Sequence, residues 1–150
     1  MRIKLHLLLA LLFFPLTAGA TGTIDAVIFT KQGERPLRLE LATTPEEREQ
    51  GLMNRSNLAP NDGMLFVFPT ANRVAFWMKD TKLPLDMLFI GPLMDIIHIE
   101  ADTVPYSLTH HNSPNPTQAV IELDGGRAAK DGIAEGDMVR YALPKNISVR

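Results

Sequence analysis

Between Trp77 and Asp86 the chain places an indole, a thioether, ammonium groups, two carboxylates and a hydroxyl within ten residues. On an alternating strand Trp77 and Lys79 share one face, and Phe76 and Met78 share the other. A tryptophan face flanked by charges can stack on a sugar ring or hold a cation. It is equally suited to anchor a core, with Lys79 a solvated neighbour and Asp80-Thr81 a turn bonded to its own backbone. Arg48 and Arg55 bracket Gly51. The planar guanidinium fork suits a carboxylate or phosphate ligand, or an internal carboxylate such as Asp80, Asp86 or Glu122. Asp86 follows Pro84-Leu85 into an apolar run, where a charge entering a core needs a partner. Glu122 stands between Ile121 and Leu123 and points opposite to them. Paired with Asp80 or Asp86 it would supply acid–base hydrolysis.

Other chemistries find less footing. His98, His110 and His111 offer no His-x-His or His-x-x-x-His spacing, and adjacent histidines on a strand face opposite ways. They read as polar loop residues, and no metal or cofactor is implied. There is no cysteine for a thiol nucleophile, no glycine elbow around a serine and no glycine-rich phosphate loop. The methionines at 64, 78, 87, 94 and 138 fall in apolar runs and read as adaptable core filler.

These groups must be positioned by short elements. Leu37, Leu39 and Leu41 alternate with Arg38 and Glu40, which predicts a half-buried strand paired in a hairpin with Ile24–Thr30 across Lys31–Glu34. Thr44-Pro45-Glu46-Glu47 predicts a helix start with a capping box and proline at the first helical position, and Gly51 a helix end. Beyond it, Met64–Phe68, Val74–Met78, Leu85–Ile90, Met94–Glu100, Ala119–Leu123 and Met138–Leu143 read as strands between turn residues. Residues 102–118 read as a long loop. The expected fold is mainly β, a compact antiparallel barrel or sandwich of short strands, with one short helix near residues 45–53.

The N-terminus carries an address. Arg2 and Lys4 precede an apolar run from Leu5 to Leu16, and Ala18-Gly19-Ala20 sets small residues where signal peptidase cuts. The run is shorter than the roughly 20 residues of a spanning helix. Residues 1–20 are therefore expected to be a cleavable signal peptide, leaving 21–150 as a single domain in the periplasm or outside the cell. Its loss leaves 13 basic against 17 acidic side chains, a net charge of −4. Neither sign forms a block, so nucleic acid and anionic membrane are not expected partners.

Several motifs occur together in a familiar order: Glu47-Arg48, Gly51-Leu52-Met53 and Arg55, then Gly63-Met64-Leu65-Phe66, then Phe76-Trp77-Met78-Lys79-Asp80-Thr81. Pro84-Leu85-Asp86, Ile121-Glu122-Leu123 and Gly136-Asp137 complete the set. With these pieces the chain resembles the domain of unknown function 192 family over about residues 40 to 142. Asp80 stands where members often carry asparagine. The resemblance implies a small β-rich and commonly exported protein, and no activity. The residues themselves point first to a binding module for a small polar or sugar-like ligand in the cell envelope, walled by Trp77, Lys79, Asp80, Arg48 and Arg55. A hydrolase using Asp80, Asp86 or Glu122 is the second reading, and a structural or partner-binding module the third.

Overall fold

A computed structural model describes residues 22–150, so the expected signal segment lies outside the described residues. Alternation sets the first hairpin. β1 (Thr23–Thr30) pairs antiparallel with β2 (Gly33–Ala42), with Ile24 opposite Leu39 and Ala26 opposite Leu37. The capping box forms α1 (Pro45–Gln50). Thr44 Oγ1 accepts the Glu47 N–H at 3.2 Å, and the Glu47 carboxylate accepts the Thr44 N–H at 3.0 Å and that of Thr43 at 2.8 Å. Such a cap contributes about 1 kcal/mol. Gly51 ends the helix at φ 46°, where a Cβ would be strained, and donates its N–H to the Glu47 carbonyl.

β3 (Asp62–Asn72) then lies parallel to β2, with Leu39 opposite Gly63 and Leu41 opposite Leu65. A parallel pair requires a crossover, and α1 with residues 51–61 supplies it. The remaining elements are β4 (Ala75–Phe76), β5 (Leu85–Ile90), β6 (Ile96–Glu100), β7 (His111–Asn112), β8 (Thr117–Asp124), α2 (Arg127–Asp131) and β9 (Met138–Tyr141). The main sheet runs β6-β5-β8-β3-β2-β1-β9, and β4 pairs with β7 in a separate ribbon. Curling brings the two outer strands together at a bridge between Asp95 and Met138. The Ile96 N–H donates to the Asp137 carbonyl at 2.9 Å, Gly136 to Ile96 at 2.8 Å and Val139 to Met94 at 2.8 Å. The result is a barrel, not a sandwich, with the β2–β3 pair as its parallel exception.

Two cores follow from the strand period. Inward residues such as Ile28, Leu39, Leu65, Leu88 and Ile121 fill the barrel. The outward set of β3, β5 and β8, including Met64, Phe66, Met87, Phe89 and Val120, is covered by Leu52 of the crossover and by Met78. β5 is thus buried along its whole length, which is why it reads as a nearly unbroken apolar run. The methionines divide: Met64, Met78 and Met87 are core filler, whereas Met138 is exposed.

Two expectations need correcting. Residues 102–118 are not one loop, since they hold β7 and the start of β8 and are pinned by backbone bonds from Met78 to Ser107 and from Tyr106 to Thr81. Val74–Met78 is strand only at Ala75–Phe76, because its partner β7 is two residues long. Among the described residues no helix is long and apolar enough to cross a membrane.

Candidate functional site

Glu122 lies on the outer face of β8, with Met64 of β3 on one side and Met87 of β5 on the other. The covering segments seal that face, so Glu122 is only 4% exposed. No hydrogen bond or ion pair reaches its carboxyl group among the described residues. Burial in these surroundings disfavours the charged form and pushes its pKa up to about 8. At neutral pH the group is therefore mostly a neutral carboxylic acid that can both donate and accept.

A recess of about 30 Å³ opens beside this carboxyl, walled by Phe66, Phe76 and Trp77 together with Leu52 and Thr81. Gly51 belongs to the same wall, and a Cβ there would meet the Phe66 ring at 3.3 Å. Phe66 and Phe76 meet edge to face with centroids 5.0 Å apart. The recess shares Arg48, Glu49, Phe76 and Trp77 with a larger groove of about 370 Å³, which Phe68, Val74 and His110 extend. Trp77 is 37% exposed. Lys79 Nζ lies 5.3 Å from the indole centroid, and the His110 and Trp77 rings meet edge to face with centroids 5.9 Å apart. Trp77 is thus a groove wall and not a core anchor, and Lys79, in the turn beyond β4, brings its ammonium over the indole.

Arg48 enters the site without pairing Asp80. Its guanidinium donates to the carbonyls of Thr43 at 2.9 Å, Val67 at 3.0 Å and Arg150 at 2.7 Å, and lies 5.3 Å from the Phe68 ring centroid. Desolvation lowers its pKa, while Glu46 and Glu47 act to raise it. Asp80 is exposed at φ 52°, and its carbonyl accepts the Asn54 N–H at 2.8 Å. Aspartate and asparagine tolerate that left-handed geometry better than most side chains. The position therefore serves the turn that clasps the two covering segments.

Two expected site residues lie elsewhere. Arg55 pairs with Glu40, which removes it from the site and corrects the expected partners Asp80, Asp86 and Glu122. Asp86 is fully buried, but its register partner on β8 is Leu123, so it points to the opposite face from Glu122. Its carboxylate accepts backbone N–H groups from Asp102 at 2.8 Å, Gly126 at 3.0 Å and Ala128 at 2.7 Å. Asp86 is a structural tie, and its pairing with Glu122 for hydrolysis is ruled out by the pleat. The other carboxylate on the recess is Glu49, which the sequence reading passed over along with Phe66 and Phe68. The alternation Met64, Phe66, Phe68 was the signal for those two rings.

The histidines separate. His110 joins the groove, whereas His98 and His111 both face Glu100 at 3.5 Å, and His98 Nδ1 lies 3.1 Å from Glu135.

Comparison with known proteins agrees with this architecture. A family model for DUF192, described as an uncharacterized ACR, matches residues 27–141. A Sinorhizobium meliloti structure, described as a candidate transcription regulator, is similar at 38% identity, covering 80% of this chain and 94% of its own, with a TM-score of 0.77. A protein of unknown function from Novosphingobium aromaticivorans is similar at 37% identity, covering 79% of this chain and 84% of its own, with a TM-score of 0.78. No curated protein shows a significant match. With its model matched from within β1 to the end of β9, the chain belongs to the domain of unknown function 192 family.

Proposed function

We propose that this domain is a binding module of the cell envelope for a small polar ligand, whose body lies along Trp77, Phe76 and Phe68 and whose head reaches Glu122. The observation that carries this reading is the buried, unpartnered carboxyl on the wall of an aromatic recess. Enclosing a carboxyl with no protein partner disfavours its charged form, which is the cause of its raised pKa. A scaffold role would be served by an apolar residue, as at the neighbouring outward position Val120. The groove is of the size that small ligands occupy, with apolar walls and few polar groups. Export rests on the N-terminal pattern ending in Ala18-Gly19-Ala20.

The test is a thermal-shift screen of the chain from Thr21 against envelope sugars, peptidoglycan fragments and amino acids. A ligand at a hundredfold excess over its Kd adds about 2.7 kcal/mol. At least one class should raise the melting temperature of the wild type and not of Trp77→Ala or Glu122→Gln. A screen without hits, or hits that both variants retain, would overturn the site. Intact mass of the secreted protein should begin at Thr21, and a retained Met1 would overturn the export assignment.

A further inference from the structure

We infer that the recess beside Glu122 receives the ammonium head of an aliphatic amine, whose alkyl chain runs out along the aromatic groove. This rests on the binding reading above and names its ligand class. Size decides first. A recess of about 30 Å³ holds roughly one water-sized group. A sugar ring, a guanidinium or a carboxylate does not fit, which leaves a single-atom head: methyl, hydroxyl or ammonium.

Chemistry decides among these three. A methyl leaves the Glu122 carboxyl without a partner. A hydroxyl can hydrogen-bond Glu122 and donate to the Thr81 oxygen, whose own proton goes to the Lys79 carbonyl at 3.0 Å, but it brings no charge to pair with a carboxylate. An ammonium gains an ion pair with Glu122 among the side chains of Phe66, Phe76 and Trp77, where little water competes. Among the described residues, the other charged groups that line the recess with Glu122 come from α1 alone, Arg48 and Glu49, of opposite sign. Arg48 is committed to three backbone carbonyls. β3 presents Met64 and Phe66, β5 presents Met87, and the covering segment presents Phe76, Trp77 and Thr81, none of which carries a charge. The adjoining groove continues with Phe68 and Val74, which suits methylene groups.

The balance of protons supplies the test. Glu122 is mostly protonated at neutral pH, and it must lose that proton to pair with a bound ammonium. The proton goes to the buffer. Calorimetry with n-hexylamine, in two buffers of different ionisation heat at pH 6.5, should show close to one proton released per amine bound. Affinity should rise about tenfold per pH unit until pH approaches 8 and then level. Under the same conditions 1-hexanol should bind at least tenfold more weakly and release no proton. Glu122→Gln should abolish both proton release and pH dependence. If 1-hexanol binds as well as n-hexylamine, or amine binding releases no proton, the ammonium assignment is overturned while the binding site stands. If neither probe binds the wild type, the assignment also falls, and the broader screen decides the site separately.

Discussion

Raising the pH from 5 to 8 should cost the ligand-free domain roughly 4 kcal/mol of stability through one residue, and Glu122→Gln should abolish that loss. The carboxyl of Glu122 titrates near its ordinary value of 4.5 when unfolded and at about 8 when folded. Between those values the folded state holds a proton that the unfolded state has given up. Unfolding then releases a proton, so stability falls as pH rises, by roughly 1–1.5 kcal/mol per pH unit. Below pH 4.5 both states are protonated and the contribution is fully present. Above pH 8 it is gone. Glutamine keeps the shape and a neutral head, so the variant should match the wild type near pH 5 and exceed it by several kcal/mol at pH 8. Chemical denaturation at half-unit pH steps gives both curves. Parallel curves for the two proteins would show that Glu122 does not carry the buried proton, and would remove the basis for its neutral state at pH 7.

Asp86→Ala should be the most damaging substitution outside the hydrophobic cores, at about 4 kcal/mol or more. Its carboxylate ties three backbone N–H groups from separate parts of the chain, at Asp102, Gly126 and Ala128. Asp86 and the Ala128 N–H are buried, and each donor left unsatisfied costs roughly 1–3 kcal/mol. Asp86→Asn should fall between. Its oxygen can keep the bonds from Asp102 and Gly126, but its amide group would face the Ala128 N–H. Urea denaturation should order the three proteins as wild type, asparagine, alanine. A loss below about 1 kcal/mol for alanine would mean that these N–H groups find other acceptors, and that Asp86 is not the tie the geometry describes.

Local signals in the sequence marked the local structure. Alternation through Leu37–Leu41 gave the hairpin, Thr44 and Glu47 gave the cap of α1, and Leu85–Ile90 gave β5 to the residue. α2 escaped because no side chain of its own caps it. Gly126 at its N-cap has φ 78°, and the group that bonds its first turn is Asp86, which lies 42 positions away. The site was legible as residue types more than as an assembly. Trp77 and Arg48 line the groove, Lys79 lies beside the indole outside its lining, and Glu122 borders the adjoining recess from a distant strand. Asp86 and Arg55 do not. Their exclusion depends on the register that sets Asp86 beside Leu123, and on the reach of Arg55 back to Glu40 in β2. Neither is visible until the strands are paired. The isolation of Glu122 is likewise a tertiary property, since it comes from a cover made by the crossover and by residues 76–81.

The seam between Asp95 and Met138 also governs how this chain behaves in crowded company. A sheet with free outer strands offers unpaired backbone groups on which a second molecule can add a strand, and polymerisation follows that route. Here the two outer strands meet, and Ile96, Gly136 and Val139 spend their N–H groups across the join. The remaining ribbon, β4 with β7, is only two residues long and too short to act as a template. Exposed Leu93 and Met138 flank the seam, so apolar surface and unpaired strand edge would be released at the same place. Resistance to aggregation in this barrel therefore resides in a handful of backbone bonds at one join, where the sheet has the least pairing to lose.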